Sequence, residues 1–281
     1  ATYPDGFRCI GLLSVVGFDA EAKARRTAEA ILERTRTMLK GMSLPDYTRS
    51  HYEVIGSETE LGPHRKVQMG HEAVVRIAIT HSDKKGATLF SKEIAPAGTS
   101  FAPGTSGNFG MGRPNVSPLV KLFSCFVPKA RVQAKVQISG TVIDYTEPPH
   151  PVAATDSAPN PSAPRPRTTS PIPIPVELQG KPLLAIAHGR SGDKGNTSNV
   201  GLIARKPEYW PLLQQLTQPE RVKQYLAHLV KGEVHTFELP QVQAFNLVMK
   251  EALDGGGMTS MRNDPLGKGM AQVLLNMKIT E

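Results

Sequence analysis

Twelve consecutive residues hold the densest polar chemistry of the chain: His188-Gly-Arg-Ser-Gly-Asp-Lys-Gly-Asn-Thr-Ser-Asn199. Arg190 brings a planar guanidinium that can grip a carboxylate or phosphate through two parallel N–H bonds, and Lys194 brings a point charge. Ser191 and Asn196 add a hydroxyl and an amide. His188 or Asp193 is the candidate for proton transfer near neutral pH. The interspersed glycines let backbone N–H groups approach a ligand closely and form an anion-holding nest. The segment follows an apolar run, 183–187, that reads as a buried strand, and ligands often sit at the carboxyl ends of strands. The same composition suits equally well a Gly/Asp/Asn-rich hairpin whose charges are solvated.

A second polar stretch, 95–118, is rich in Gly, Pro, Ser and Thr. Its Thr99, Ser100, Thr105, Asn108 and Arg113 form a candidate anion-binding loop, against the plain alternative of a surface loop. Other chemistry finds less support. A Ser-His-Asp triad would draw Ser191, His188 and Asp193 from six adjacent residues, and the Gly-x-Ser-x-Gly turn is absent. Neither a phosphate-binding Gly-x-x-x-x-Gly-Lys-Ser/Thr loop nor Gly-x-Gly-x-x-Gly occurs, so no nucleotide cofactor is expected. His64, His71 and His81 lack metal-ligand spacing, and His228 and His235 read as ordinary helix and strand residues.

Residues 7–16 read as a buried strand and Asp19 as the cap of a helix to Leu39, stopped at Gly41. Residues 51–55 and 72–80 read as strands and 84–93 as a short helix. Strand-like texture returns in 119–127 and 130–144. Past 181, strands are expected at 183–187, 200–204 and 233–239. Helices are expected over 208–230, broken at Thr217-Gln218-Pro219, and over 241–253. Helix or strand follows at 265–279. For 196–204, β-branched Val200 and Ile203 favour a strand, with a helix capped at Asn196 or Thr197 as the alternative.

Ten of the 24 prolines fall within 148–175, which marks 146–180 as an extended, semi-rigid linker spanning about 30 Å as coil. Ile172, Ile174 and Val176 could dock on a neighbour. At 281 residues the chain has room for one large or two modest domains. The net charge of +8 is spread as +6 over 1–146, −1 over 147–180 and +3 over 181–281. The basic residues 23–40 alternate with Glu21, Glu29 and Glu33, as a solvated helix face does, so nucleic-acid binding is not expected. A mildly positive surface suits an anionic small molecule. No apolar run approaches the roughly 20 residues of a membrane span, and no signal-peptide layout is present. The two cysteines, Cys9 and Cys125, fit a reducing, cytoplasmic setting.

Several blocks, in order, carry a resemblance: Tyr3-Pro-Asp-Gly6, Glu93-Ile-Ala-Pro-Ala-Gly-Thr-Ser100, Pro103-Gly-Thr105, Gly112-Arg-Pro114, Leu122-Phe-Ser-Cys125 and Pro128-Lys129, then His188–Asn199, Leu253–Gly257 and Leu266-Gly-Lys268. The first set resembles the last part of the core domain of the acyclic terpene utilisation protein AtuA family. The second set resembles that family's C-terminal ferredoxin-like domain. The resemblance implies an α+β (mixed α/β) fold: 1–145 as the C-terminal part of a larger core domain, 146–180 as linker, and 181–281 as a ferredoxin-like sandwich. It implies a part in the breakdown of branched acyclic terpenoids through acyl-CoA intermediates, with no reaction or catalytic residue attached. Because the chain starts at Ala1, partway through that layout, it is expected to be a fragment. Two functions follow as expectations. One is an enzyme or enzyme subunit holding an anionic branched acyl substrate, such as an acyl-CoA. The other is a non-catalytic interaction module tethered by the linker, pairing with a second copy or a partner subunit.

Overall fold

A computed structural model describes residues 1–66, 70–106, 112–145 and 171–280. The sequence-predicted linker falls mostly on 146–170, and Asn108 on 107–111, both outside the described residues. Mixed helices and antiparallel sheets make the fold α+β.

The N-terminal half is one sheet with helices on one face. Strand β1 (Thr2–Val16) leads into helix α1 (Ala20–Gly41), followed by β2 (Arg49–Ile55), β3 (Glu72–His81), α2 (Lys84–Glu93), a one-turn helix α3 (Ala97–Ser100), β4 (Thr105–Ser106) and β5 (Val116–Leu122). The strand order is β2-β3-β1-β4, with β5 also pairing β1. Alternation decides what each face meets. Cys9, Leu13 and Val15 of β1 and Val75, Ile77 and Ile79 of β3 point under α1 and α2, against Ala24, Ala28, Ile31, Leu39 and Phe90. The opposite face carries charge. Arg8, Thr80 and Arg49 share one cross-strand row, and Leu12, Arg76 and Glu53 another.

Asp19 stands where a helix cap was expected, but it caps nothing with its side chain. Its backbone is left-handed (φ 55°), so only its carbonyl joins the helix, accepting from Lys23 N at 2.9 Å. Asp83 does cap α2, accepting from Lys85 N. The 95–118 stretch is broken up by α3, β4 and the start of β5, and β5 stops at Leu122, short of 127. Strands β6 (Lys135–Ile138) and β7 (Thr141–Asp144) then form an exposed hairpin, with no third strand among the described residues.

Residues 171–180 lie on the C-terminal half. Ile172 N donates to Gln215 Oε1 at 2.7 Å, and Ile174 packs on the C-terminal core, whereas Val176 stays exposed. That core belongs to an antiparallel sheet of order β10-β11-β9-β8. Its strands are β8 (Ala187–Lys194), β9 (Thr197–Ala204), β10 (Val234–Leu239) and β11 (Ala244–Met249). Helices α4 (Trp210–Leu216), α5 (Pro219–Tyr225) and α6 (Met270–Leu275) complete the unit.

Three expectations change here. Residues 183–185 are a 3₁₀ turn, and the strand begins at Ala187, so the polar segment is itself the strand β8. Residues 244–249 are a strand, where a helix was expected over 241–253. Ala244, Phe245, Leu247 and Met249 are buried, and the segment sits between β9 and β10, where two ladders outweigh the helical spacing of Val242, Phe245, Val248 and Met249. The layout is therefore β-β-α-α-β-β-α, where β-β-α-β-α was expected. Residues 197–204 form a strand, as the β-branched residues indicated.

Candidate functional site

Strand β8 sorts the polar segment by alternation. In register across the sheet, His188 pairs Ile203, which pairs Ala244, which pairs Leu239. In the next row Arg190 pairs Gly201, which pairs Asn246, which pairs Phe237. These rows lie on the face away from the helices, since Val200, Leu202, Phe245 and Leu247 fill the helix-side core. A groove of about 630 Å³ opens here, lined by Leu184, His188, Arg190, Ile203, Leu239 and Asn246, with Gln272 and Leu275 of α6 at the β8 edge. Gly201 leaves the centre of the row without a side chain. Neither the Arg190 nor the His188 side chain makes a hydrogen bond or ion pair to another described residue. Two residues apart on one strand, their Cα atoms lie about 7 Å apart on the same face. A guanidinium and an imidazole can therefore address one anionic head while the apolar wall takes a hydrocarbon tail.

The rest of the polar segment builds the fold. Ser191 Oγ donates to Lys268 O and accepts from Ala271 N, each at 3.0 Å, bracing the start of α6. Asp193 lies 3.6 Å from Lys268 Nζ. Lys194 Nζ donates to Asp193 O at 3.2 Å. Asn196 Oδ1 accepts from Leu253 N at 3.3 Å and Gly255 N at 2.8 Å, tying the hairpin tip to the Gly255-Gly256-Gly257 turn.

The N-terminal candidates do not join this groove: no hydrogen bond or ion pair connects them to 188–196 among the described residues. Thr105 is buried and donates to Ala102 O at 2.7 Å, and Thr99 donates to Pro96 O at 3.1 Å. Ser100 and Arg113 are exposed. Cys9 is no nucleophile, because burial pushes its thiol up to about 12, against hydrogen bonding that would lower it. Among the described residues no cluster of His, Cys, Asp and Glu could hold a metal, and no helix is long and apolar enough to cross a membrane.

A polar seam between the halves was not anticipated. Arg8, Arg49 and Arg76, from three adjacent strands, donate to the carbonyls of Met258 (3.3 Å), Thr259 (3.2 Å) and Met261 (2.5 Å). Arg49 also pairs Asp254 at 2.6 Å. Glu53, its side chain only 4% exposed, pairs Arg76 at 3.2 Å and accepts from Asn263 N at 3.1 Å. Burial pushes the Glu53 carboxyl up. The His51 imidazole 3.2 Å away, the hydrogen bond from Asn263 N and the Arg76 guanidinium outweigh this and hold it below its ordinary value. His64 Nε2 donates to Tyr225 O at 2.7 Å and His228 Nε2 to Glu60 O at 2.9 Å, crossing the seam in both directions. One sequence signal pointed here: Arg76 sits inside the run Val74-Val-Arg-Ile-Ala78, and a charge in a buried strand requires a partner.

Two family models match the chain. One, described as acyclic terpene utilisation family protein AtuA, covers residues 1–138. The other, described as AtuA ferredoxin-like domain, covers 181–280. No curated protein and no solved structure matches it.

Proposed function

The chain belongs to the acyclic terpene utilisation family AtuA, and from that premise we propose that it holds an anionic, branched acyl compound, a CoA thioester or its free acid, in the groove over β8, β9 and β11. One observation carries this reading: the unpartnered guanidinium of Arg190 stands beside His188 on the wall of a mostly apolar groove. Arg190 takes the carboxylate or thioester oxygen. His188 is the proton-transfer group, since Asp193 is turned toward Lys268. The tail runs along Ile203, Ala244 and Leu239. The setting is the reducing cytoplasm, where Cys9 and Cys125 stay free. Calorimetry with isovaleryl-CoA and longer branched acyl-CoAs tests it. Arg190→Ala is expected to weaken binding by about 10- to 100-fold, the worth of a charge-assisted hydrogen bond. Absence of binding, or equal binding by the variant, sinks the reading.

A second reading, a non-catalytic interaction module, is favoured by apolar side chains left uncovered. These are Ile203, Phe237 and Leu239 on the C-terminal sheet, and Val136, Ile138 and Ile143 on one face of the β6–β7 hairpin. Light scattering on the eluting protein separates the two: a monomer at every concentration counts against the module.

A further inference from the structure

The groove is not built by the C-terminal half alone. Its β8 wall and its α6 edge both hang on the loop 253–264, and that loop is held from the N-terminal sheet. At one end Asn196 binds the loop through Leu253 N and Gly255 N, and Asn196 O accepts from Ala252 N at 3.0 Å. Gly256, at φ +86°, lies so close that a Cβ there would meet Gly195 O. At the other end Asp264 accepts from Lys268 N at 2.9 Å and Gly269 N at 2.7 Å, setting the first turn of α6, which carries Gln272 and Leu275 into the groove. Ser191 closes the circuit from β8 to that turn. Between these ends the loop carbonyls accept from Arg8, Arg49 and Arg76, and Asn263 N donates to Glu53.

We infer that Glu53 and Arg76 are positioning residues for the groove: through loop 253–264 the N-terminal sheet sets where β8 and the start of α6 stand, and so the spacing of Arg190 from Gln272 and Leu275. The inference rests on the groove reading for its consequence in binding, and stands apart from it in its consequence for the loop. Buried Glu53 and half-buried Arg76 are the central bond of this support, because each satisfies the other and one loop group besides.

Hydrogen exchange on the full chain, with calorimetry against isovaleryl-CoA, tests it in wild type, Glu53→Gln, Arg49→Ala and Arg190→Ala. Glu53→Gln is expected to raise amide exchange across 253–272 and to weaken the probe roughly tenfold, within the usual range of coupling between sites. Exchange in α1 stays unchanged. Arg190→Ala is expected to weaken probe binding by about 10- to 100-fold without altering exchange at 253–272. A wild type that does not bind the probe, with exchange still raised in Glu53→Gln, supports the positioning role and overturns the groove reading. Unchanged exchange at 253–272, or a rise equal to that in α1, overturns the positioning role. Should Glu53→Gln fail to fold, Arg49→Ala removes the Asp254 and Thr259 contacts from a more exposed side chain and carries the same test.

Discussion

Ser191 Oγ serves two backbone groups of the turn that starts α6, donating to Lys268 O and accepting from Ala271 N. Ser191→Ala therefore orphans Ala271 N inside the fold. The expected loss is about 1–3 kcal/mol in urea unfolding, with the Arg190 groove still able to bind. A drop in binding without a drop in stability would return Ser191 to the ligand. The two thiols differ just as clearly. Cys125 is exposed and Cys9 is buried with its thiolate suppressed. Iodoacetamide at pH 8 is expected to label Cys125 alone until denaturant is added, and mass spectrometry of the peptides reads this directly. Side-chain type marked Arg190 and His188 as candidates. It could not separate them from Ser191 and Asn196, because both groups are polar, close in sequence and flanked by glycine. Placing β8 at 187–194 separates them: alternation turns Ser191 to the other face, and Asn196 falls beyond the strand, in the turn.

At the level of elements, the glycines that suggested a ligand-holding loop instead allow a strand and a tight turn to meet other backbone. Gly189 lets Leu202 and Leu275 close against β8, and Gly195 turns the hairpin at φ +63°. The Gly255-Gly256-Gly257 turn was legible as a break, but the element before it was misread. The apolar residues of 241–253 satisfy a helical spacing, while Ala244, Phe245, Leu247 and Met249 bury themselves as a central strand, a choice made by neighbours far away in sequence. Elements whose local signals agree, such as α1 and α2, fell within a few residues of expectation. The turn yields a sharp test. Gly256→Ala places a side chain at φ +86° and against Gly195 O, so it is expected to lower stability by more than about 1 kcal/mol. Chemical unfolding measures this, and a neutral result would mean that the hairpin tip and the turn are not in contact.

On the scale of the whole molecule, the seam joins residues about two hundred positions apart, Arg49 to Asp254 and Glu53 to Asn263. Neither composition nor periodicity carries that information. The seam is also where protons matter. His228 faces Glu60, His64, Arg262 and Lys231, and burial holds its imidazole below its ordinary 6.5 despite the bond to Glu60 O. The unfolded chain thus binds the proton more readily, so stability rises with pH up to about 6.5 and falls as pH drops below it. Glu53, held below 4.5, contributes stability that is present above that value and lost as pH falls through its folded value. Glu60 acts in the opposite sense. Burial first, then the charges of Glu53 and Asp264, raise its carboxyl, so its contribution is full below 4.5 and lost as pH rises through the folded value. Acidification from pH 7.5 is therefore expected to weaken the seam first through His228. His228→Gln keeps an N–H for Glu60 O but cannot titrate, and its stability between pH 6.5 and 5 should fall less steeply than wild type in urea unfolding. Glu60→Gln should be more stable than wild type at pH 7.5 and lose that advantage near pH 4. Parallel pH profiles for wild type and both variants would show that the seam does not sense protons, and would move the acid sensitivity of the molecule elsewhere.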